Sequence, residues 1–181
     1  MLDYDLILAK NHKLQTKRLL LRPLTLADTE DLYEISSHEK VTMMTGYSTH
    51  QTLADTEQAI AHYFMKRPLG KYGIELRTTG KLIGTIDLRL TGPNSGELGY
   101  QMNPNYQRKG YTFEAAETLL EFGFEKLHLH RLTAKCLAFN LPSQALLEKL
   151  GMKKEGVLRQ AEKRNGKYVD MYLFSRLKED N

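Results

Sequence analysis

Residues 96–112 read Gly-Glu-Leu-Gly-Tyr-Gln-Met-Asn-Pro-Asn-Tyr-Gln-Arg-Lys-Gly-Tyr-Thr, and a change of period inside them decides the fold. Before Pro104 the pattern alternates, with Leu98, Tyr100 and Met102 on one side and Glu97, Gly99 and Gln101 on the other, as in a strand. After Thr112 the period is helical: Phe113, Ala116, Leu120, Phe124 and Leu127 share one face. Between them, Gln107, Arg108, Lys109 and Gly110 lie where the first helical turn must begin. Orphan backbone N–H groups and the positive end of the helix dipole converge there, so the loop predicts an anion cradle. Gly110 lets the main chain come close to a ligand, and Arg108 and Lys109 add charge. The string is neither Gly-x-x-x-x-Gly-Lys-Ser/Thr nor Gly-x-Gly-x-x-Gly, so it is not one of those nucleotide loops.

Working outward, Leu19 to Leu24 reads as a first strand, at an edge or ending early because of Pro23. Thr25-x-x-Asp28 starts a helix to about Ser37, and Thr52-x-x-Asp55 starts another that stops before Pro68, with Ile60, Tyr63 and Phe64 inward. A loop containing Gly46 joins them. Residues 72–78 and 82–90 form a strand pair around Thr79-Gly80. Beyond the central helix, Arg131–Leu137 alternates as a strand, Asn140 to Gly151 spans a short helix, and 152–162 with 168–176 form a hairpin at Asn165-Gly166. Four helices therefore flank one mixed, mostly antiparallel sheet, an α/β architecture. Residues 1–15 show little periodicity and are expected to be a loose arm ahead of one domain over 16–181.

Composition narrows the function classes. With 181 residues the chain can bury a sizeable core, and no apolar run approaches the ~18–20 residues of a membrane helix. Asp3 and Asp5 stand where a secretory leader needs positive charge, and the lone Cys136 fits a reducing compartment, so a cytoplasmic location is expected. A net charge of +4 without basic-aromatic interleaving argues against nucleic acid as a partner. His128 and His130 point the same way but lack a third ligand at workable spacing, so no metal is expected. Residues 26–60 hold seven acids against one base, and the rest of the chain is correspondingly basic.

The spacing Gln107-x-x-Gly110-x-Thr112 resembles the pyrophosphate loop of the GNAT acetyltransferases, usually Gln/Arg-x-x-Gly-x-Gly/Ala, with Thr112 departing at the last place. The element order resembles the GNAT fold as well. Thr16-x-Arg18 to Leu24, Asn140-x-x-Ser143, Leu147 to Gly156 and Asn165-Gly166-x-x-x-Asp170 are similar to the group containing the ribosomal-protein alanine and serine N-terminal acetyltransferases.

That resemblance implies acetyl-CoA as co-substrate and a primary amine as acceptor. The main chain of Tyr100, Gln101 and Met102 would pair with the pantetheine arm, and Gln107, Arg108, Lys109, Gly110, Tyr111 and Thr112 would hold the pyrophosphate. Asn140 would bond the pantetheine, a role compatible with capping the helix behind it. The attacking amine must be neutral and the departing sulfur benefits from a proton. Glu162, matching a catalytic glutamate of the serine acetyltransferase, and Glu97 on the central strand both qualify as bases, with Glu162 first. Ser143 matches the hydroxyl thought to protonate sulfur, and could also touch the cofactor.

The implied acceptor is a protein N-terminus, a ribosomal one in the narrower resemblance; the alternatives are a small cationic amine such as a polyamine or aminoglycoside, or a silent acetyl-CoA-binding module. A homodimer is allowed. Apart from any family, the acidic segment 26–60 would favour a cationic acceptor if it bordered the cleft.

Overall fold

The structure, a computed structural model, describes residues 2–180. Its strands are β1 (Leu14–Gln15), β2 (Leu19–Arg22), β3 (Lys71–Leu76), β4 (Leu82–Gly92), β5 (Ser95–Met102), β6 (Arg131–Leu137), β7 (Lys153–Arg164) and β8 (Lys167–Leu177). They form one sheet in the order β1-β2-β3-β4-β5-β6-β8-β7. Neighbours run antiparallel except β5 and β6, which are parallel. The helices are α1 (Tyr4–Lys10), α2 (Thr29–Ser36), α3 (Glu39–Thr45), α4 (Leu53–Ala59, continued by a π-helical turn to Met65), α5 (Tyr111–Glu125) and α6 (Leu141–Lys149).

Alternation along β4 and β5 sends Ile86, Leu88, Leu98 and Met102 to one face, where Ala115, Ala116, Leu119, Leu120 and Phe124 of α5 bury against them. On the other face Leu32, Ile35, Val41, Ile60, Phe64 and Leu82 form a smaller core beneath α2, α3 and α4. The helix starts follow the capping chemistry: Thr25 with Asp28 and Thr52 with Asp55 each form a capping box.

Two expectations change. Residues 2–15 are not loose: Asp3 caps α1 through the Leu6 N–H at 3.0 Å, and Leu8 is buried in the main core. The Gly46 loop also contains α3. Both helices have seven residues, two turns, too few for a period to stand out from chance. They account for the difference between the four helices expected and the six found among the described residues.

The feature that positions the site is a parting of strands. β5 and β6 pair only from Ser95 to Leu98 against Arg131 to Ala134. Beyond that, β5 continues on β4 as far as Met102, while β6 continues on β8 to Leu137. Gly99–Met102 therefore presents main chain to an opening in the middle of the sheet.

Candidate active site

At one end of this opening stands the start of α5. Arg108 and Gly110 both adopt positive φ, 59° and 79°, and turn the chain so that successive N–H groups face outward at the helix start. Gly110 removes the Cβ penalty at one of these positions, and a Cβ there would also come within 3.3 Å of the Arg18 guanidinium. Arg18, just ahead of β2, braces the loop: Nη1 donates to the Lys109 carbonyl at 2.9 Å, Nε to Glu114 at 2.6 Å, and the guanidinium lies 4.4 Å from the Tyr111 ring centre. Gln107 Nε2 donates to the Met102 carbonyl at 3.2 Å and Lys109 Nζ to the Asn105 carbonyl at 3.0 Å. The side chains of Gln107 and Lys109 thus shape the loop, leaving its main chain and the exposed Arg108 to meet an anion. Tyr111 and Thr112 lie in the first turn of α5.

The opening widens into a cavity of about 340 Å³ against the α3 side of the sheet. Tyr100, Gln101, Asn140, Ser143, Glu97 and Glu162 all line it, although they come from three separate elements, β5, the capped start of α6 and β7. Ser143 Oγ and Tyr100 Oη are 2.7 Å apart, and burial holds the Tyr100 phenol well above its ordinary value, so it keeps its proton. Asn140 Oδ1 accepts from the Ser143 N–H at 3.2 Å, the capping arrangement that fixes where Ser143 points. Cys136 also lines the wall, and burial pushes its thiol up, so it stays neutral.

The two carboxylates differ. Glu97 is gripped on both oxygens, by Arg89 Nη2 at 2.8 Å and Lys135 Nζ at 2.7 Å. Burial alone would raise its carboxyl, but the bonds and charge of Lys135 and Arg89 outweigh that and the net direction is downward. Glu162 has one recorded ion pair, Arg164 Nη1 at 3.1 Å, and its side chain is 40% exposed. It reaches the cavity because β7 slips register between Leu158 and Glu162. Gln160 takes φ 51° at this bulge, and Asp170 Oδ1 holds the Gln160 N–H at 2.8 Å.

Four side chains that the sequence reading assigned no role complete the wall. Asp87 is 5% exposed, accepts from Tyr63 Oη at 2.7 Å, and is paired with Arg89. Burial pushes the Asp87 carboxyl up against the opposing pull of Arg89 and Tyr63. Lys135 joins through Glu97. Arg164 reaches back to the Met43 carbonyl at the end of α3, at 3.2 Å. It lies beneath Gly46, where a Cβ would fall 2.6 Å from its Nη2 and where φ is 85°. The signal available for Asp87 and Arg89 was their alternation with the apolar Ile86, Leu88 and Leu90 of the same strand.

The acidic segment borders this cavity only through the uncharged Met44, Thr45, Gly46 and Tyr47, and none of its seven acids lines it. Asp28 is paired with Arg22, Asp31 and Glu34 with Lys81, and Asp55 caps α4. The cavity's own carboxylates, Asp87, Glu97 and Glu162, are matched by Arg89, Lys135 and Arg164. The expected negative acceptor side is therefore not built at this cavity: pairing and capping engage four of the seven acids, and Glu39 lines only the neighbouring depression.

Comparison with known proteins places these features in a family. Residues 18–153 match the Acetyltransferase (GNAT) domain. The chain is 34% identical over 170 residues to the N-acetyltransferase YnaD of Bacillus subtilis, covering 91% of this chain and 96% of that one. It is 30% identical over 99 residues to the ribosomal-protein-serine acetyltransferase of Escherichia coli, 54% of this chain and 55% of that one. A GNAT-family acetyltransferase structure from Bacillus anthracis superposes with a TM-score of 0.84 at 28% identity, covering 92% of this chain and 99% of that one.

Proposed function

This chain belongs to the GNAT acetyltransferases, enzymes that use acetyl-CoA, and from that premise we propose that its acceptor is the free α-amino group of a protein N-terminus. The observation that carries the reading is the meeting, in one cavity beside the parted strands, of Glu162, the Tyr100–Ser143 hydroxyl pair and the Gly99–Met102 edge that has lost its pairing to β6. The residues fit acetyl-CoA. A strand edge suits an extended amide-bearing arm, and the αL turns at Arg108 and Gly110 before a fifteen-residue helix suit a pyrophosphate.

Acetyl-CoA supplies the activated acetyl group when bound. Glu162 takes the proton that the acceptor ammonium must lose. Glu97, with both oxygens committed to cations, is the poorer acceptor of a proton and acts instead to hold Arg89 and Lys135 in place. Tyr100 donates to Ser143 Oγ, which leaves the Ser143 hydroxyl proton to be offered to a departing sulfur. An α-amino group with pKa ~8 asks less of a carboxylate base than a lysine near ~10.4. The balanced charge of the cavity removes the reason to prefer a polyamine. Its rim residues Gly46, Tyr47 and Arg164 also line a second depression of about 290 Å³, space for the chain that follows an N-terminal residue.

The test is acetyl-CoA turnover, read by release of free thiol, across peptide N-termini, polyamines and aminoglycosides. Peptides should give the highest kcat/KM. Turnover confined to polyamines or aminoglycosides would overturn the acceptor assignment, and coenzyme A binding without turnover of any amine would reduce the chain to a binding module.

A further inference from the structure

Gln101 is 6% exposed, and its Oε1 is the buried side-chain polar atom that has no hydrogen-bond partner among the described residues. It lines the cavity from β5, opposite Thr85 in the strand register and on the same face as Glu97 and Gly99. A carbonyl oxygen shut from water without a donor keeps the full cost of its desolvation, so such atoms are rare unless something else completes them. The cavity's own cations are otherwise engaged. Arg89 serves Asp87 and Glu97, Lys135 serves Glu97, and Arg164 serves Glu162 and the Met43 carbonyl. An amine entering the cavity would bring the N–H that this atom lacks.

We infer that Gln101 Oε1 receives an N–H of the acceptor amine and makes the enzyme selective for primary over N-methylated amines. This rests on the acetyl-transfer reading above and extends it from the base to the orientation of the nucleophile. The proton balance identifies which N–H is involved. A primary ammonium carries three protons: Glu162 takes one before attack, and a second leaves the nitrogen as its lone pair forms the N–C bond and the C–S electrons depart with sulfur, passing to Ser143 in place of the hydroxyl proton given to the thiolate. The third survives in the product amide. That surviving N–H is the one Gln101 can hold throughout, turning the lone pair toward the acetyl carbon. An N-methyl amine keeps no N–H in its product, and would leave Oε1 buried and unpaired at the end of the reaction. Gln101 is thus assigned through its side chain to the acceptor, while its main chain remains on the cofactor edge.

The experiment measures kcat/KM for a primary amine and its N-methyl counterpart, each presented both as a short Ser-initiated peptide and as an alkyl diamine. It compares the natural chain with Gln101→Met and Gln101→Glu. Methionine has similar bulk and no comparable acceptor, so steric rejection of the methyl group stays while the hydrogen-bond contribution goes. The ratio of primary to N-methyl should fall about 10-fold or more in Gln101→Met and be largely retained in Gln101→Glu. Coenzyme A affinity by calorimetry and KM for acetyl-CoA should not move. An unchanged ratio in Gln101→Met, with melting temperature equal or higher, would overturn the inference and leave Gln101 a structural residue. A fall in coenzyme A affinity with no change in ratio would equally overturn it, by assigning the side chain to the cofactor. If no primary amine is acetylated by the natural chain while coenzyme A still binds, the transfer reading itself fails, and this inference with it.

Discussion

The two ends of the β5–β6 opening are made of different materials. At the α5 end the chain offers main chain: turns at Arg108 and Gly110, the first N–H groups of a helix, and its dipole. At the α3 end it offers side chains: Glu97, Glu162, Arg164 and Asp87, brought from separate strands and held by one another. A main-chain site depends little on which side chains surround it and suits a ligand that never changes. A side-chain site can be altered one residue at a time, which suits the partner that differs between related enzymes. If that division is right, substitutions at the second end should alter catalysis while sparing coenzyme A, and those at the first should do the reverse.

The largest effect is expected from Glu162→Gln. Loss of a general base typically lowers kcat/KM by ~10²–10⁴-fold, most strongly below the acceptor's pKa. Glu97→Gln should cost less, because its carboxylate is already spent on Arg89 and Lys135. Steady-state kinetics of both variants across pH decide the matter, and a larger loss for Glu97→Gln would reverse the base assignment.

Next comes Asp170→Ala, which removes the acceptor that fixes the Gln160 bulge. Misplacing a catalytic group by about 1 Å can cost up to ~10²-fold, so kcat should fall by about 10- to 100-fold with KM for acetyl-CoA unchanged. Because Asp170 acts through Glu162, the double variant Asp170→Ala, Glu162→Gln should be little worse than Glu162→Gln alone. Additive losses would mean that Asp170 does something other than aim Glu162.

The two ends also differ in how they could be read from sequence. The 107–112 loop is six consecutive residues between a period of two and a period of 3.6, so the relevant signal is local. The side-chain end is not. Arg164 meets Met43 across 121 positions and Tyr100 meets Ser143 across 43, and no spacing rule announces either. Asn140 was legible as a cap because capping is local too. The bulge that aims Glu162 depends on a register slip and a left-handed Gln160, a residue type with no special claim on that conformation. The acidic run at 26–60 misled for a related reason. A charge count records sign but not partners, and Arg22 and Lys81 lie outside the segment they neutralise.

Neutralising Arg108 and Lys109 together probes the main-chain end. Lys109 is already occupied with the Asn105 carbonyl, so the loss should sit at about 1–2 kcal/mol of coenzyme A affinity, roughly 5- to 30-fold, with a flatter salt dependence. The acceptor side should be unaffected once coenzyme A is saturating. Unchanged affinity by calorimetry would put the pyrophosphate elsewhere.

The smallest effect concerns how β7, the strand that carries Glu162, is fastened to the sheet. Glu155 on β7 accepts from Arg131 on β6, one of the bonds measuring 2.7 Å, and from Ser175 Oγ on β8 at 2.6 Å. Arg131 first and Ser175 second pull its carboxyl down from 4.5 to about 2. A carboxyl depressed in the folded state contributes stability above its unfolded pKa, and that contribution is lost as pH falls through the folded value. The window here therefore runs from 4.5 down to about 2. The Glu155 side chain is 36% exposed and solvent screens the pair, so Glu155→Gln should destabilise by only about 0.2–1 kcal/mol at about pH 7. That corresponds to roughly 0.5–4 °C in melting temperature for a chain of this size. The gap between variant and natural chain should be constant from about pH 7 to pH 5 and narrow as pH drops below 4.5. Coenzyme A affinity should be the same for both, because β7 stands on the far side of the opening from α5. A gap that instead widened on acidification would mean that Glu155 is stabilising in its protonated form, and that something other than Arg131 secures the strand bearing Glu162.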